Sequence, residues 1–225
     1  ALEFPSKESS ILGLRLGIIS EHRDVYGLDL NLIAGVTDGD FFGSEISLFY
    51  NQVNGDATIF PLQVALILND NRGKTTVIGL QVACINGSAG VAHIYGGQIG
   101  LVGNSNERGG TVVGFQLGLA NGHFGDIDKG FGWGFSTVPS RIYGFQLGMV
   151  NSAETVAGLQ AGAVMNIGTN VYGVQLGILN RAKAIYGFQV GLVNVTESLH
   201  GMQIGLVNIN LGGPLKFFPI LNVGF

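Results

Sequence analysis

Ile142-Tyr-Gly-Phe-Gln-Leu-Gly-Met-Val150 recurs as Val171-Tyr-Gly-Val-Gln-Leu-Gly-Ile-Leu179, Ile185-Tyr-Gly-Phe-Gln-Val-Gly-Leu-Val193 and Leu199-His-Gly-Met-Gln-Ile-Gly-Leu-Val207. Each copy is nearly palindromic about its glutamine, with glycine two residues to either side and bulky apolar residues at one and three. Period-2 alternation of this kind describes a β-strand with two unlike faces. One face, A, holds the bulky residues, and the other, B, holds the glutamine, its glycines and an aliphatic residue at each end.

Working outward from these copies, the same pattern centres on Arg15, Asp29, Glu45, Gln63, Gln81, Gln98, Gln116, Gly132, Gln146, Gln160, Gln175, Gln189, Gln203 and Asn222, successive centres lying 14 to 19 residues apart. Fourteen strands of nine residues leave connections of 5 to 10, rich in Asn, Asp, Gly and Ser, a composition that suits hairpins. Across these strands face A carries only Ser44, Lys129 and His200 as clearly polar residues. Residues 1–10 form an N-terminal extension, and 11–225 form a single domain of fourteen repeated strands.

Composition narrows the class. The 225 residues include 38 glycines and only 12% charged residues, which is unusually apolar for a chain in water. Glycine, glutamine or asparagine interrupts every apolar run, which argues against membrane helices. A net charge of −4, without a basic cluster, gives no reason to expect nucleic acid. The single cysteine, Cys84, rules out an intramolecular disulfide and a cysteine-based zinc site. The start at Ala1-Leu-Glu-Phe fits a mature product whose signal peptide has been removed.

Two architectures use the pattern. In a transmembrane β-barrel face A meets lipid and face B lines the interior. In a soluble β-solenoid or sandwich, with about 14 residues per repeat, face A is the dry core and the glutamines stack as an external ladder. Variable spacing favours a meander, since hairpin loops absorb length changes without disturbing strands. The tyrosines three residues before a centre, Tyr26, Tyr95, Tyr143, Tyr172 and Tyr186, fall in both even and odd strands, so an up-and-down meander sends them to both membrane girdles. The ending Phe218-Pro-Ile-Leu-Asn-Val-Gly-Phe225 places Leu221, Val223 and Phe225 on face A and resembles the C-terminal assembly signal of outer-membrane barrels, implying engagement with barrel-assembly machinery. The expectation is therefore a 14-stranded antiparallel up-and-down transmembrane β-barrel in the bacterial outer membrane, in contact with membrane lipid. The aliphatic ends of face B point the other way, because a wide water-filled pore is polar along its whole wall.

Tandem units such as Gly173-Val-Gln-Leu-Gly-Ile-Leu-Asn180, Gly187-Phe-Gln-Val-Gly-Leu-Val-Asn194 and Gly201-Met-Gln-Ile-Gly-Leu-Val-Asn208, with the aromatic ending, resemble the bacterial surface-repeat proteins of spirochaetes and other Gram-negative-type lineages. The resemblance runs from about Val77 to the C-terminus. It implies an envelope location and brings no activity or catalytic residues.

As a barrel, the chain is expected to be a passive pore or a structural envelope protein and not an enzyme. The interior is expected to be lined by Arg15, Asp29, Glu45, Gln63, Gln81, Gln98, Gln116, Gln146, Gln160, Gln175, Gln189, Gln203 and Asn222. Arg15, Asp29 and Glu45 occupy equivalent positions on consecutive strands and form a charge cluster, read first as a structural ion pair and second as a selectivity cluster. The alternatives are a soluble surface-repeat binding or adhesion module with a β-solenoid fold, and a lipid-handling barrel. His22, His93, His123 and His200 lack the spacing of a metal site, Gly125-Asp-Ile-Asp128 lacks a full calcium loop, and no cofactor is expected.

Overall fold

In the computed structural model, residues 8–122, 140–214 and 216–225 are described, and they are strand and turn without helix. Gly132, His123, Lys129 and Gly125–Asp128 lie outside them. The strands are β1 (Ile11–His22), β2 (Val25–Thr37), β3 (Phe41–Ser47), β4 (Tyr50–Val53), β5 (Ala57–Val64), β6 (Leu68–Asn71), β7 (Thr75–Ser88), β8 (Ala92–Asn106), β9 (Gly110–Gly122), β10 (Ser140–Val190), β11 (Val193–Asn210) and β12 (Phe217–Gly224).

The chain divides into two compact units, Ala1–Gly110 and Thr111–Phe225. In the first, β1 pairs with β2, β2 with β3 and β4, β3 with β5, β4 with β6, β5 and β6 with β7, and β7 with β8, every pairing parallel. Each coil thus contributes two strand segments to the stack, separate in β3 and β4 and continuous in β7. In the second unit β10 runs unbroken through several coils, and β11 continues the parallel stack in register, Gln189 opposite Gln203. β12 alone turns back, pairing antiparallel with β11 and setting Asn222 opposite Gln203.

This parallel β-solenoid corrects the antiparallel barrel, and with it the transmembrane and porin-like assignments. The variable spacing that favoured a meander is taken up in the turns between coils. There Asp24 Oδ1 accepts the Asp40 amide (3.0 Å), Asp40 Oδ1 that of Asp56 (3.0 Å) and Asp56 Oδ1 that of Lys74 (2.8 Å). Side chains that bond the next turn's backbone keep the coils in step although the coils differ in length.

The palindrome is broken in three dimensions. In most coils the glycine two residues before the centre has φ near +140°, as at Gly187 (φ 140), whereas the glycine after it, Gly191, does not; Pro61 and Ile220 stand in that place before Gln63 and Asn222. A Cβ at Gly187 would land on the Gly173 carbonyl oxygen of the coil before. Both steric space and backbone geometry therefore exclude side chains, which sets how closely coils stack.

Of the two face assignments only the barrel's survives, with face B inside. The solenoid alternative, which put face A in the core and the glutamines outside, is reversed. Of the aliphatic ends of face B that spoke against a pore, the leading ones are the apolar part of this core, with Val171 and Ile185 fully buried, whereas trailing ones such as Ile19, Ile67, Val102 and Val164 are exposed.

Gly187→Ala is expected to cost about 3 kcal/mol or more, since strained φ and a carbonyl clash add. Gly13→Ala, with φ 105 but open space around its Cβ position, should cost less. Chemical denaturation of both variants measures the difference.

Candidate functional site

Two features compete as the site: the polar row inside the coils and the apolar sheet outside. The row is built by the parallel register, which lays each centre on the next. Within the second unit Gln146 Nε2 donates to Gln116 Oε1 (3.0 Å), Gln160 to Gln146 (2.8 Å), Gln175 to Gln160 (2.8 Å), Gln189 to Gln175 (2.8 Å) and Gln203 to Gln189 (2.8 Å). Asn222 Nδ2 closes the series on Gln203 Oε1 (2.8 Å). In the first unit Gln98 donates to Gln81 (2.7 Å), Gln81 to Gln63 (2.7 Å), and Gln63 to Glu45 Oε2 (2.9 Å). These amides are buried, and several make a second N–H bond, Gln160 to the Ile167 carbonyl (3.2 Å) and Gln63 to Asn71 Oδ1 (3.2 Å) among them. A buried amide with all partners present is stabilising, and a solute in transit would have to break them. The expected pore-lining residues therefore form a packed structural spine.

Sequence reading missed a second ladder. Asn51, Asn69, Asn86 and Asn104 in the first unit, and Asn121, Asn151, Asn166, Asn180, Asn194 and Asn208 in the second, lie buried at the bend between the two segments of each coil. Within a unit each but the last donates to the next, as Asn180 to Asn194 Oδ1 (2.9 Å), and also to the backbone carbonyl just after the next coil's glutamine, as Asn180 to Val190 O (2.9 Å). The signal was present, an asparagine five or six residues after each glutamine from Glu45 onward. It was absorbed into the reading of Asn-rich connections as hairpin loops. The two ladders point in opposite directions: glutamine N–H groups aim toward the N-terminus and asparagine N–H groups toward the C-terminus.

At the N-terminal end of the glutamine row the expected charge cluster is real and buried. Arg15 Nε donates to Asp29 Oδ1 (2.6 Å) and Nη2 to Asp29 Oδ2, while Nη1 reaches the Val36 carbonyl (3.1 Å). The two-pronged contact is the strong form of the pair. Glu45 is fully buried beyond Asp29, and burial first and the Asp29 carboxylate second push its carboxyl well above the ordinary 4.5, outweighing the opposing hydrogen bond from Gln63 and the charge of Arg15. Burial beside a second carboxylate favours the protonated form of Glu45. Arg15 donates to Asp29 from one side, and on the other the aligned amides of the row end with the Gln63 N–H on Glu45 Oε2. The ion-pair reading stands, and the cluster faces no open channel.

The other feature is outside. Face A is exposed in both units: Leu12, Phe42, Tyr95, Phe145, Phe188 and Leu206 are each about half or more uncovered. Parallel register puts equivalent positions of successive coils side by side, so Tyr172 stacks on Tyr186 (centroids 4.9 Å, 9° between planes) and Tyr186 on His200 (4.7 Å, 17°). Tyr143 belongs to the same column, and Tyr26 and Tyr95 occupy the matching edge of the first unit. The two-girdle placement is corrected accordingly, because parallel strands send this position to one edge only. Leu221 and Val223 lie exposed on the terminal strand β12, and Phe225 lies exposed just after it. Charged residues sit on the other segment of the coil, among them Asp70 and Arg72 in the first unit and Arg181, Lys183 and Glu197 in the second.

Among the described residues no three His, Cys, Asp or Glu side chains come together to hold a metal ion. No family model matches the chain, and no curated protein or solved structure does either.

Glu45 takes up a proton on folding once the pH exceeds its unfolded value near 4.5. Its raised folded-state value means that this contribution to stability is fully present below about pH 4.5 and is lost as the pH rises through the folded value, by at most ~1.4 kcal/mol per pH unit. Glu45→Gln keeps an acceptor for Gln63 and removes the titration. Urea denaturation across that range should show a flatter pH profile and higher stability at neutral pH for the variant. A profile unchanged from the wild type would locate the proton elsewhere.

Proposed function

We propose that the chain is a non-enzymatic surface-repeat module of the bacterial envelope, a β-solenoid that works by docking its apolar sheet face. The observation that carries the reading is the exposure of face A in every described coil while the polar residues are consumed inside. A soluble monomer's largest apolar patch ordinarily measures a few hundred Å², and a rigid sheet of aliphatic and aromatic columns exceeds that, as binding surfaces do. The amide spine makes the face stiff, so binding loses little conformational freedom. The envelope location rests on the resemblance of the Gly-x-Gln-x-Gly-x-x-Asn repeats to surface-repeat proteins. The aromatic residues supply large contact area with few torsions to fix.

Retention on a phenyl matrix tests the role of the face. In a falling salt gradient Tyr172→Lys and Leu147→Lys should elute clearly earlier, at higher salt, than the wild type, whereas Arg181→Ala, on the charged segment, should elute unchanged or later. Equal retention of all variants with native circular dichroism would remove face A from the interaction.

A further inference from the structure

Resting on that reading, we propose that the apolar face of the second unit is the contact surface for a second copy of this chain, forming a face-to-face pair of sheets. The face is about 20 Å wide, from three residues before each centre to three after, and about 30 Å tall from the Gln116 coil to β12, from strand geometry alone. That gives roughly 600 Å² per protomer, or about 1,200 Å² in a pair, which reaches the range of specific interfaces. The centre of the face carries no charge, and it is rich in the Tyr, Phe and Met that interface cores favour.

Relief on this face favours a protein over a lipid surface. The coil centred on Gln160 presents Ala157, Leu159, Ala161 and Ala163 where its neighbours present Tyr143, Phe145, Leu147 and Met149 on one side and Tyr172, Val174, Leu176 and Ile178 on the other. A shallow groove, interrupted by Leu159, therefore crosses the sheet along the strand direction. Two coils further on, Tyr186, Phe188, Val190 and Leu192 fill all four positions with larger side chains as a ridge. A two-fold axis lying along the Gln175 coil brings the ridge of each copy over the groove of the other, Tyr186 above Ala157, Val190 above Ala161 and Leu192 above Ala163, with Phe188 meeting Leu159. Such self-complementarity is what a symmetric pair of identical surfaces requires. Packed sheets about 10 Å apart, with side chains interdigitating, are the ordinary result of joining two such faces. Fluid acyl chains would neither need nor read this relief.

Sedimentation of the full chain without detergent tests the proposal, together with Phe188→Lys on the ridge and Ala161→Arg in the groove. The wild type should sediment as a dimer at micromolar concentration, and each variant should weaken dimerisation by at least tenfold while keeping its circular dichroism. Should either variant fail to fold, a Cys84→Ala chain carrying one spin label at Leu176→Cys, on the axis coil, provides the second measurement. It should show dipolar broadening that disappears on dilution with unlabelled chain, because the two-fold axis sets position 176 of each copy opposite its equivalent across sheets about 10 Å apart. A dimer indifferent to both substitutions, or a spectrum without broadening, overturns the proposal. A wild-type monomer that binds phosphatidylcholine vesicles through the Phe188 face overturns the pairing and leaves the docking role intact. A monomer that binds neither overturns both.

Discussion

A glutamine side chain that donates to the glutamine one coil earlier, at 2.7 to 3.0 Å, is the contact on which the rest of the fold depends. It demands parallel strands in exact register, because a slip of one residue would turn every glutamine outward and every bulky residue in. It favours glycine or another small residue to either side on the inner face, as with Ala65 after Gln63 and Ala83 after Gln81, and at glycines such as Gly187 the neighbouring coil's carbonyl occupies what a Cβ would take. The interior that results is polar yet satisfied, and the usual assignment of apolar residues to the core gives way. Buried amides in a closed series strengthen one another, and an interrupted series leaves orphan groups that cost more than the bond was worth.

The row has a direction, and its ends are treated differently. At the C-terminal end Asn222, on the antiparallel strand β12, supplies the last donor to Gln203. At the N-terminal end of the first unit the centres change from amides to Glu45, Asp29 and Arg15. These residues turn a run of one-way donors into a sequence that finishes on a buried ion pair. The asparagine ladder has no such finish in the first unit. Asn51 Oδ1, its first acceptor, has no hydrogen-bond partner, and the coil before it carries Gly35 opposite Asn51.

Much of this was legible. Alternation separated the centres from face A, and Arg15, Asp29 and Glu45 were rightly placed in one inward row, but it also assigned Ile19, Ile33, Phe49, Ile67 and Val102, each four residues after a centre, to the inner face, and they are exposed. Chain direction was not legible, because Gly187 and Gly191 look equivalent in the sequence and differ only in φ. Nor was the sense of burial: an apolar face beside a face of Gly-Gln-Gly suggests either lipid outside or a dry core inside, and the solenoid realises neither. The tyrosines misled for the same reason as the glycines, since their two-rim distribution follows from alternating strand direction. Asn180, Asn194 and Asn208 were visible as repeats and were given to loops, although an asparagine at constant offset from a buried glutamine is better explained by stacking than by turn preference.

The distance between positions 172 and 186 tests the parallel register most directly. Spin labels attached through Tyr172→Cys and Tyr186→Cys in a Cys84→Ala chain should show strong dipolar broadening, because neighbouring coils place these backbones about 5 Å apart. Antiparallel neighbours would carry the same two positions to opposite ends of their strands, about 20 Å apart, and spectra without broadening would contradict the solenoid.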